Sequence, residues 1–106
     1  MNNEFRIIKN MKLFILSLDS FLVNYPKKEK VLKDKIKSTS YEILELIFLA
    51  NLKPEKLTEQ QQILAKISML DFYLEESYKK QYISEKLCKH KGNDYENALW
   101  MGKKWK

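Results

Sequence analysis

Apolar residues recur along this chain at intervals of three and four, the spacing that places side chains on one face of an α-helix. The first such stretch covers about residues 4–24, and its apolar positions are Phe5, Ile8, Met11, Ile15, Leu18 and Leu22. Phe14, Phe21 and Val23 widen this stripe. Because the stripe is wider than a small bundle needs for its own core, it indicates a second buried contact, for which another subunit is a candidate.

The second and third stretches carry recognisable helix-boundary signals. Pro26 suits the first position of a helix, where its missing N–H has no cost, so a second helix is predicted at about residues 26–51. Its apolar face comprises Val31, Leu32, Ile36, Thr39, Ile43, Leu46, Ile47 and Ala50. Thr58 with Gln61 forms a capping-box pattern, which predicts a third helix at about 58–80. Its apolar residues are Ile63, Leu64, Ile67, Leu70, Leu74 and Tyr78.

A fourth helix is predicted at about residues 84–105, with Ser84 as its N-cap. The polar stretch 89–94 has low helix propensity and contains Gly92, so this helix either continues through the stretch or breaks there. Four helices joined by short connections predict an all-α, antiparallel up-and-down four-helix bundle. The length of the chain predicts a single domain over residues 1–106.

The composition agrees with a helical fold and indicates the cellular compartment of the protein. Two glycines and two prolines in 106 residues allow few turns, and an apolar fraction of 44% is enough for a core. The single cysteine cannot form an intramolecular disulfide, and the first residues lack a signal-peptide pattern. A reducing cytoplasm is therefore expected. The longest apolar run, residues 47–50, is too short to span a bilayer, so no membrane partner is predicted.

The charge of the chain is strongly basic and is carried almost entirely by lysine. The net charge is +6, and Arg6 is the only arginine among 20 basic residues. A basic balance favours anionic partners such as nucleic acid. Lysine supplies point charges that suit phosphate groups, whereas arginine is preferred for reading base edges. The composition therefore indicates recognition of a nucleic-acid backbone or shape rather than of a base sequence.

Basic residues concentrate at the start of the second helix and at the end of the chain. Residues 27–37 contain six lysines and two acids, which leaves a charge of +4. Lysines at a helix N-terminus oppose the helix dipole, so a functional reason for them is a hypothesis. A solvated face is the alternative. The residues predicted to bind nucleic acid or a partner are Lys27, Lys28, Lys30, Lys33, Lys37, Lys103 and Lys104.

Helical geometry brings only part of this charge together. At about 100° per residue, Lys30, Lys33 and Lys37 share a face, and the other lysines of the segment point elsewhere. Near the C-terminus, Trp100 and Trp105 lie among basic residues. Such rings stack on bases, anchor at membrane interfaces or dock on proteins, and packing at the end of the bundle is favoured for Trp105. If the helices alternate in direction, the two basic segments lie at the same end.

The chain offers little that resembles catalytic or metal-binding chemistry. His90 is the only histidine, and Cys88, two residues away, faces another direction on a helix, so the two do not form a nucleophile and base. One cysteine and one histidine cannot complete the usual zinc site. Acids cluster at Glu42 with Glu45 and in residues 71–76, but a solvated face explains them. No enzyme activity, metal or cofactor is predicted.

Two kinds of helical protein resemble this chain in particular segments. Small ribonucleases of the HEPN type are similar in size and helix content, but they place an arginine shortly before a histidine, and none precedes His90 closely. Segment 25–30, Tyr-Pro-Lys-Lys-Glu-Lys, and segment 42–51 resemble the second helix of accessory variability determinant proteins of diversity-generating retroelements. Residues 83–84 before the last helix and Trp105 near its end also fit, so the resemblance spans nearly the whole chain.

The resemblance implies a four-helix bundle assembled into a barrel-like homopentamer. Such accessory proteins bind a reverse transcriptase and its template RNA or RNA–cDNA, and they support mutagenic cDNA synthesis without any activity of their own. Lys27, Lys28 and Lys30 match the basic motif of the family. Asp71 and Glu75 stand where family members often carry arginine, so a basic surface on helix three is not implied.

The bundle proteins encoded in intervening sequences of ribosomal RNA genes are similar in architecture and in their proline-led second helix. They supply an alternative hypothesis for this chain. It would then have a structural or RNA-binding role and no reverse-transcriptase partner. The gene neighbourhood distinguishes the two hypotheses, because only the first requires an adjacent reverse transcriptase.

Overall fold

The computed structural model describes residues 3–84, and all regular structure in that range is helical. The elements are α1 (Asn3–Leu22), a 3-10 turn (Lys27–Glu29), α2 (Lys30–Asn51) and α3 (Leu57–Lys79). The all-α prediction is thus confirmed for the described part of the chain. Nearly all of the predicted fourth helix, 84–105, lies outside the described residues, as do Lys103, Lys104 and both tryptophans.

Helix α2 occupies the middle of the described structure. It packs against both α1 and α3, whereas α1 and α3 do not pack on each other within residues 3–84. Contacts between Lys12 and Phe48 and between Asp19 and Lys37 show that α1 and α2 run antiparallel. The buried core residues come from all three helices and the following loops: Ile7, Met11, Phe14, Leu18, Phe21, Leu22, Tyr25, Leu32, Ile36, Ile43, Ile47, Ala50, Ile63, Ile67, Leu70, Leu74 and Ile83.

The buried face of α1 is rotated from the predicted one. Ile7 and Phe14 are almost completely buried, whereas Ile8 and Ile15 are only partly buried and Val23 is 71% exposed. Two overlapping stripes of three- and four-residue spacing exist on this helix, and the face that contains the large phenylalanine rings buries more apolar area. The extra width of the stripe therefore serves the core of this chain, and Val23 does not extend it.

Helix α2 begins later than its proline predicts. Pro26 has an extended backbone (φ −61°, ψ 152°) and precedes a 3-10 turn, and the regular α-helix starts only at Lys30. Glu29, the last residue of the turn and the N-cap of α2, departs from helical geometry with φ −98° and ψ 28°. Val31, predicted on the apolar face, is 71% exposed, because it lies about 140° around the helix from the buried Ile36.

The capping box predicted for α3 does not form. The helix starts at Leu57, its N-cap is Lys56, and no side chain caps it. Instead, the N–H of Leu57 donates to Oε1 of Glu55 at 2.9 Å. A carboxylate just before the helix thereby satisfies one of its free N–H groups. The N–H of Gln60, within reach of a capping Thr58, donates instead to the carbonyl of Lys56 at 2.9 Å, and Thr58 is a helical residue.

Helix α3 ends in a Schellman turn that reverses the chain. Gln81 adopts a left-handed conformation with φ 67°. Its N–H donates to the carbonyl of Tyr78, and the N–H of Tyr82 donates to the carbonyl of Ser77, both at 2.9 Å. This turn brings the ring of Tyr82 to 5.2 Å from that of Tyr25, between ring centroids.

A polar cluster joins the end of α3 to the 3-10 turn. Oε2 of Glu29 accepts hydrogen bonds from the Tyr82 hydroxyl at 2.8 Å and from Nζ of Lys80 at 3.0 Å, and Lys80 also pairs with Glu76 at 3.0 Å. The Lys80 and Tyr82 donors hold the pKa of Glu29 below its usual range. The same carboxylate raises the pKa of Lys80 and of Tyr82. The cluster therefore fixes the 3-10 turn that opens the basic segment.

We expect Glu29→Gln to lower the melting temperature at neutral pH, with the difference from the unmodified protein shrinking at low pH. A carboxyl whose pKa is lowered in the folded state stabilises the fold above its unfolded pKa of about 4.5 and loses that effect as the pH falls through the folded value. Circular dichroism melts from neutral pH to about pH 3 measure it. Glu45→Gln, at an exposed position of α2, is the control and leaves the melting temperature unchanged. An equal deficit for Glu29→Gln at both pH extremes would contradict this account.

Candidate nucleic-acid interface

The start of α2 forms an open groove against the end of α1. The basic groove, as we call it, has a volume of about 500 Å³. It is lined by Asp19, Leu22, Val23, Lys27, Lys30, Lys33, Asp34 and Lys37. The 3-10 turn and the first two turns of α2 supply the lysines, and the last turns of α1 supply the opposite wall. Of the two apolar wall residues, Leu22 belongs to the core and Val23 is exposed.

Four lysines and two aspartates give the basic groove a charge of +2. Lys30 pairs with Asp34 on the same helix at 2.9 Å, and Lys37 pairs with Asp19 across the groove at 2.8 Å. The remaining lysines, Lys27 and Lys33, form no ion pair with any described residue. Within residues 3–84, therefore, no carboxylate neutralises either of these two side chains.

Each ion pair favours the charged form of one of its members, Asp34 in the first pair and Lys37 in the second. The hydrogen bond from Lys30 holds the pKa of Asp34 below its ordinary value, and the hydrogen bond to Asp19 raises the pKa of Lys37. Both pairs are largely exposed, so they contribute little to stability. Their main structural effect is to hold lysine ammonium groups at fixed positions along the groove.

The predicted contact residues fall into three groups in the structure. Lys27 joins Lys30, Lys33 and Lys37 in lining the basic groove. Lys28 lies in the 3-10 turn but does not line the groove. The C-terminal pair of predicted lysines lies outside the described residues. The residues of α1 in the groove were missed, because a pattern read along one helix does not reveal which side chains of another helix face it.

Most acids considered for catalysis are engaged in ion pairs. Glu42 on α2 accepts a hydrogen bond from Nζ of Lys66 on α3 at 2.7 Å. Both residues line a second groove, with a volume of about 300 Å³. Further along α3, Glu75 pairs with Lys79 at 3.2 Å. Within residues 3–84, no three His, Cys, Asp or Glu side chains form a group able to hold a metal ion. In the same range, no helix is long and apolar enough to cross a membrane.

Comparison with known proteins gives no match: no protein-family model, no curated protein and no solved structure is similar enough to this chain. Function is therefore inferred from the basic groove and from the resemblance of segment 25–30. That segment contributes the 3-10 turn and the first lysines of the groove.

Proposed function

We propose that this chain is a non-catalytic accessory protein of a diversity-generating retroelement, which binds the reverse transcriptase and its template RNA in the cytoplasm. The observation that carries the RNA-binding part is the basic groove, in which Lys27 and Lys33 have no ion-pair partner among the described residues. An open, lysine-lined surface suits phosphates, which are contacted from outside and without a base code. The resemblance of segment 25–30 adds the retroelement context.

The ion-paired acids support a role without catalysis. A general acid or base needs a carboxyl that is free to exchange a proton with a substrate. Glu42, Glu75 and Glu76 are each hydrogen-bonded or paired with a lysine of α3 or of the loop that follows it. The Glu42–Lys66 pair joins α2 to α3, whereas the pairs of Glu75 and Glu76 lie along α3 and its C-cap.

The arrangement of the helices supports a four-helix bundle as part of the proposal. In a square bundle each helix packs on two neighbours and leaves the diagonal helix untouched. Helices α1 and α3 both pack on α2 and not on each other within the described range, as a diagonal pair does. We propose that the predicted fourth helix, 84–105, fills the remaining corner and that the bundle assembles into a homopentamer.

Salt-dependent RNA binding by an oligomer tests this proposal. Each phosphate contact lowers the logarithm of the affinity by about 0.7–0.9 per tenfold rise in salt. The two groove lysines without an ion-pair partner among the described residues, Lys27 and Lys33, are therefore expected to give a slope of about −1.5. Light scattering after size exclusion reports the oligomer, and a salt series against structured RNA reports the slope. A monomer without RNA affinity at low salt would overturn the proposal.

The polymerase partner needs a separate measurement. A pull-down with the reverse transcriptase encoded next to this chain is expected to retain the polymerase, and the same resin without the chain is the control. RNA binding without retention of a reverse transcriptase would instead support the alternative, a bundle protein of the ribosomal intervening-sequence type.

A further inference from the structure

Exposed aromatic rings continue the line of the basic groove along α2. The side chain of Tyr41 is 59% exposed, and that of Phe48 is 42% exposed. The two residues are seven positions apart, so they lie on the same side of the helix and about 10 Å apart along its axis. Lys37, the last lysine of the groove, precedes Tyr41 by four residues and is its neighbour on the helix surface.

The edge of α1 that faces these α2 residues also carries charged and exposed apolar side chains. Nζ of Lys12 lies over the ring of Phe48, 5.6 Å from its centroid. Leu16, one turn further along α1, is 77% exposed. Asp19 follows and pairs with Lys37. The outer edge between α1 and α2 thus carries lysines and exposed apolar side chains, together with the acid Asp19 that pairs with Lys37.

The proximity of Lys37 to Tyr41 links the two halves of this edge. Asp19 is the main cause of the raised pKa of Lys37, and Tyr41 adds to it. Lys37 itself is held by Asp19. Lys33, which has no ion-pair partner among the described residues, lies eight residues before Tyr41, about 12 Å along the axis of α2. A phosphate-binding lysine and an exposed ring thus lie on one helix within the reach of a short strand. Lysines that track a backbone beside rings that stack on bases are the combination found in proteins that bind single strands.

We propose that the edge running from Lys27 to Phe48 binds single-stranded nucleic acid, with the groove lysines on the phosphates and the Tyr41 ring stacked on an unpaired base. The inference rests on the proposed RNA-binding function and adds that the bound RNA is unpaired. A duplex buries the faces of its bases in the stack, so only a single strand or an open loop offers them to Tyr41. Phe48, whose ring lies under Nζ of Lys12, is the second exposed ring on this edge.

A strand that lacks bases distinguishes the contribution of base stacking to the affinity from the contribution of charge. Fluorescence anisotropy would compare a labelled single-stranded oligoadenylate with a ribose-phosphate strand of the same length that lacks bases, and with a duplex. The unmodified protein is expected to bind the oligoadenylate more tightly than either. Tyr41→Ala is expected to lower oligoadenylate affinity about tenfold and to leave affinity for the abasic strand unchanged, whereas Tyr41→Phe retains the preference.

Phe72→Ala is the matched control. Phe72 is a ring of α3 with 55% exposure, and its aromatic contact is with Tyr73 on the same helix, so its loss leaves both affinities unchanged. Equal binding of intact and abasic strands, a preference for the duplex, or equal losses for both strands in Tyr41→Ala would overturn stacking while leaving backbone binding in place. No binding of any strand at low salt would overturn the RNA-binding function as well.

Discussion

Ile36→Ala is expected to lower the free energy of unfolding by about 2–5 kcal/mol. The Ile36 side chain is 0% exposed, and it belongs to α2, the helix on which both α1 and α3 pack. Removing it opens a cavity between rigid helices that cannot close around it. Because small domains are stable by only about 5–15 kcal/mol, this one change takes away a large part of the total.

Urea unfolding followed by circular dichroism measures the effect. Val31→Ala is the control on the same helix, since Val31 is 71% exposed, and it is expected to change stability by about 0.5 kcal/mol at most. The pair also tests the register of α2, because the apolar pattern alone placed both residues on the buried face. Equal losses for the two variants would contradict the register described above.

Helix positions followed from periodicity, because an amphipathic helix must bury its apolar face. Ile43, Ile47 and Leu70 were predicted on apolar faces, and all three are buried. The register of α1 was not predictable in the same way. Its sequence allows two overlapping stripes, and the choice between them depends on how large side chains such as that of Phe14 fit into the core, which is a property of packing.

Helix starts were the least predictable part, because several local side chains offer alternative starting points. Thr58 has the right spacing for a capping box, but the carboxylate of Glu55 binds the N–H of Leu57, and the helix starts one residue before Thr58. The late start of α2 depends on a tertiary contact. Glu29 is held by Lys80 and Tyr82, about fifty residues away along the chain, and no local pattern indicates that pairing.

The α2 wall of the basic groove could be predicted from the sequence, and the α1 wall could not. The spacing of Lys30, Lys33 and Lys37 on one helix placed them together, and the structure puts them along one groove. The opposite wall comes from α1, and its register depends on the connection between the helices. Lys37 pairs with Asp19, although Asp19 lies three residues before the end of α1 and Lys37 lies seven residues after the start of α2. Counting outward from the turn would have matched Asp19 with a residue earlier in α2, so the sequence contains no direct signal for this wall.

Lys33→Glu is expected to weaken RNA binding about tenfold at about 0.1 M salt, the effect of losing one phosphate contact. Lys33 lines the basic groove and has no ion-pair partner among the described residues, so the change leaves no orphaned aspartate. The double variant Lys27→Glu/Lys33→Glu is expected to lose about a hundredfold. Both positions lie near the start of α2, where an acid suits the helix dipole, so folding is not impaired.

Lys35→Glu provides the matched control for the single variant. It makes the same change of charge on the same helix at an exposed position outside the groove, and it is expected to lower affinity only about twofold through the long-range field. The salt series separates the two effects, because losing a phosphate contact reduces the slope by about one, whereas a weaker distant field leaves it nearly unchanged. Equal losses of affinity and slope in both variants would mean that overall charge holds the RNA. A loss confined to Lys33→Glu assigns the contact to the groove.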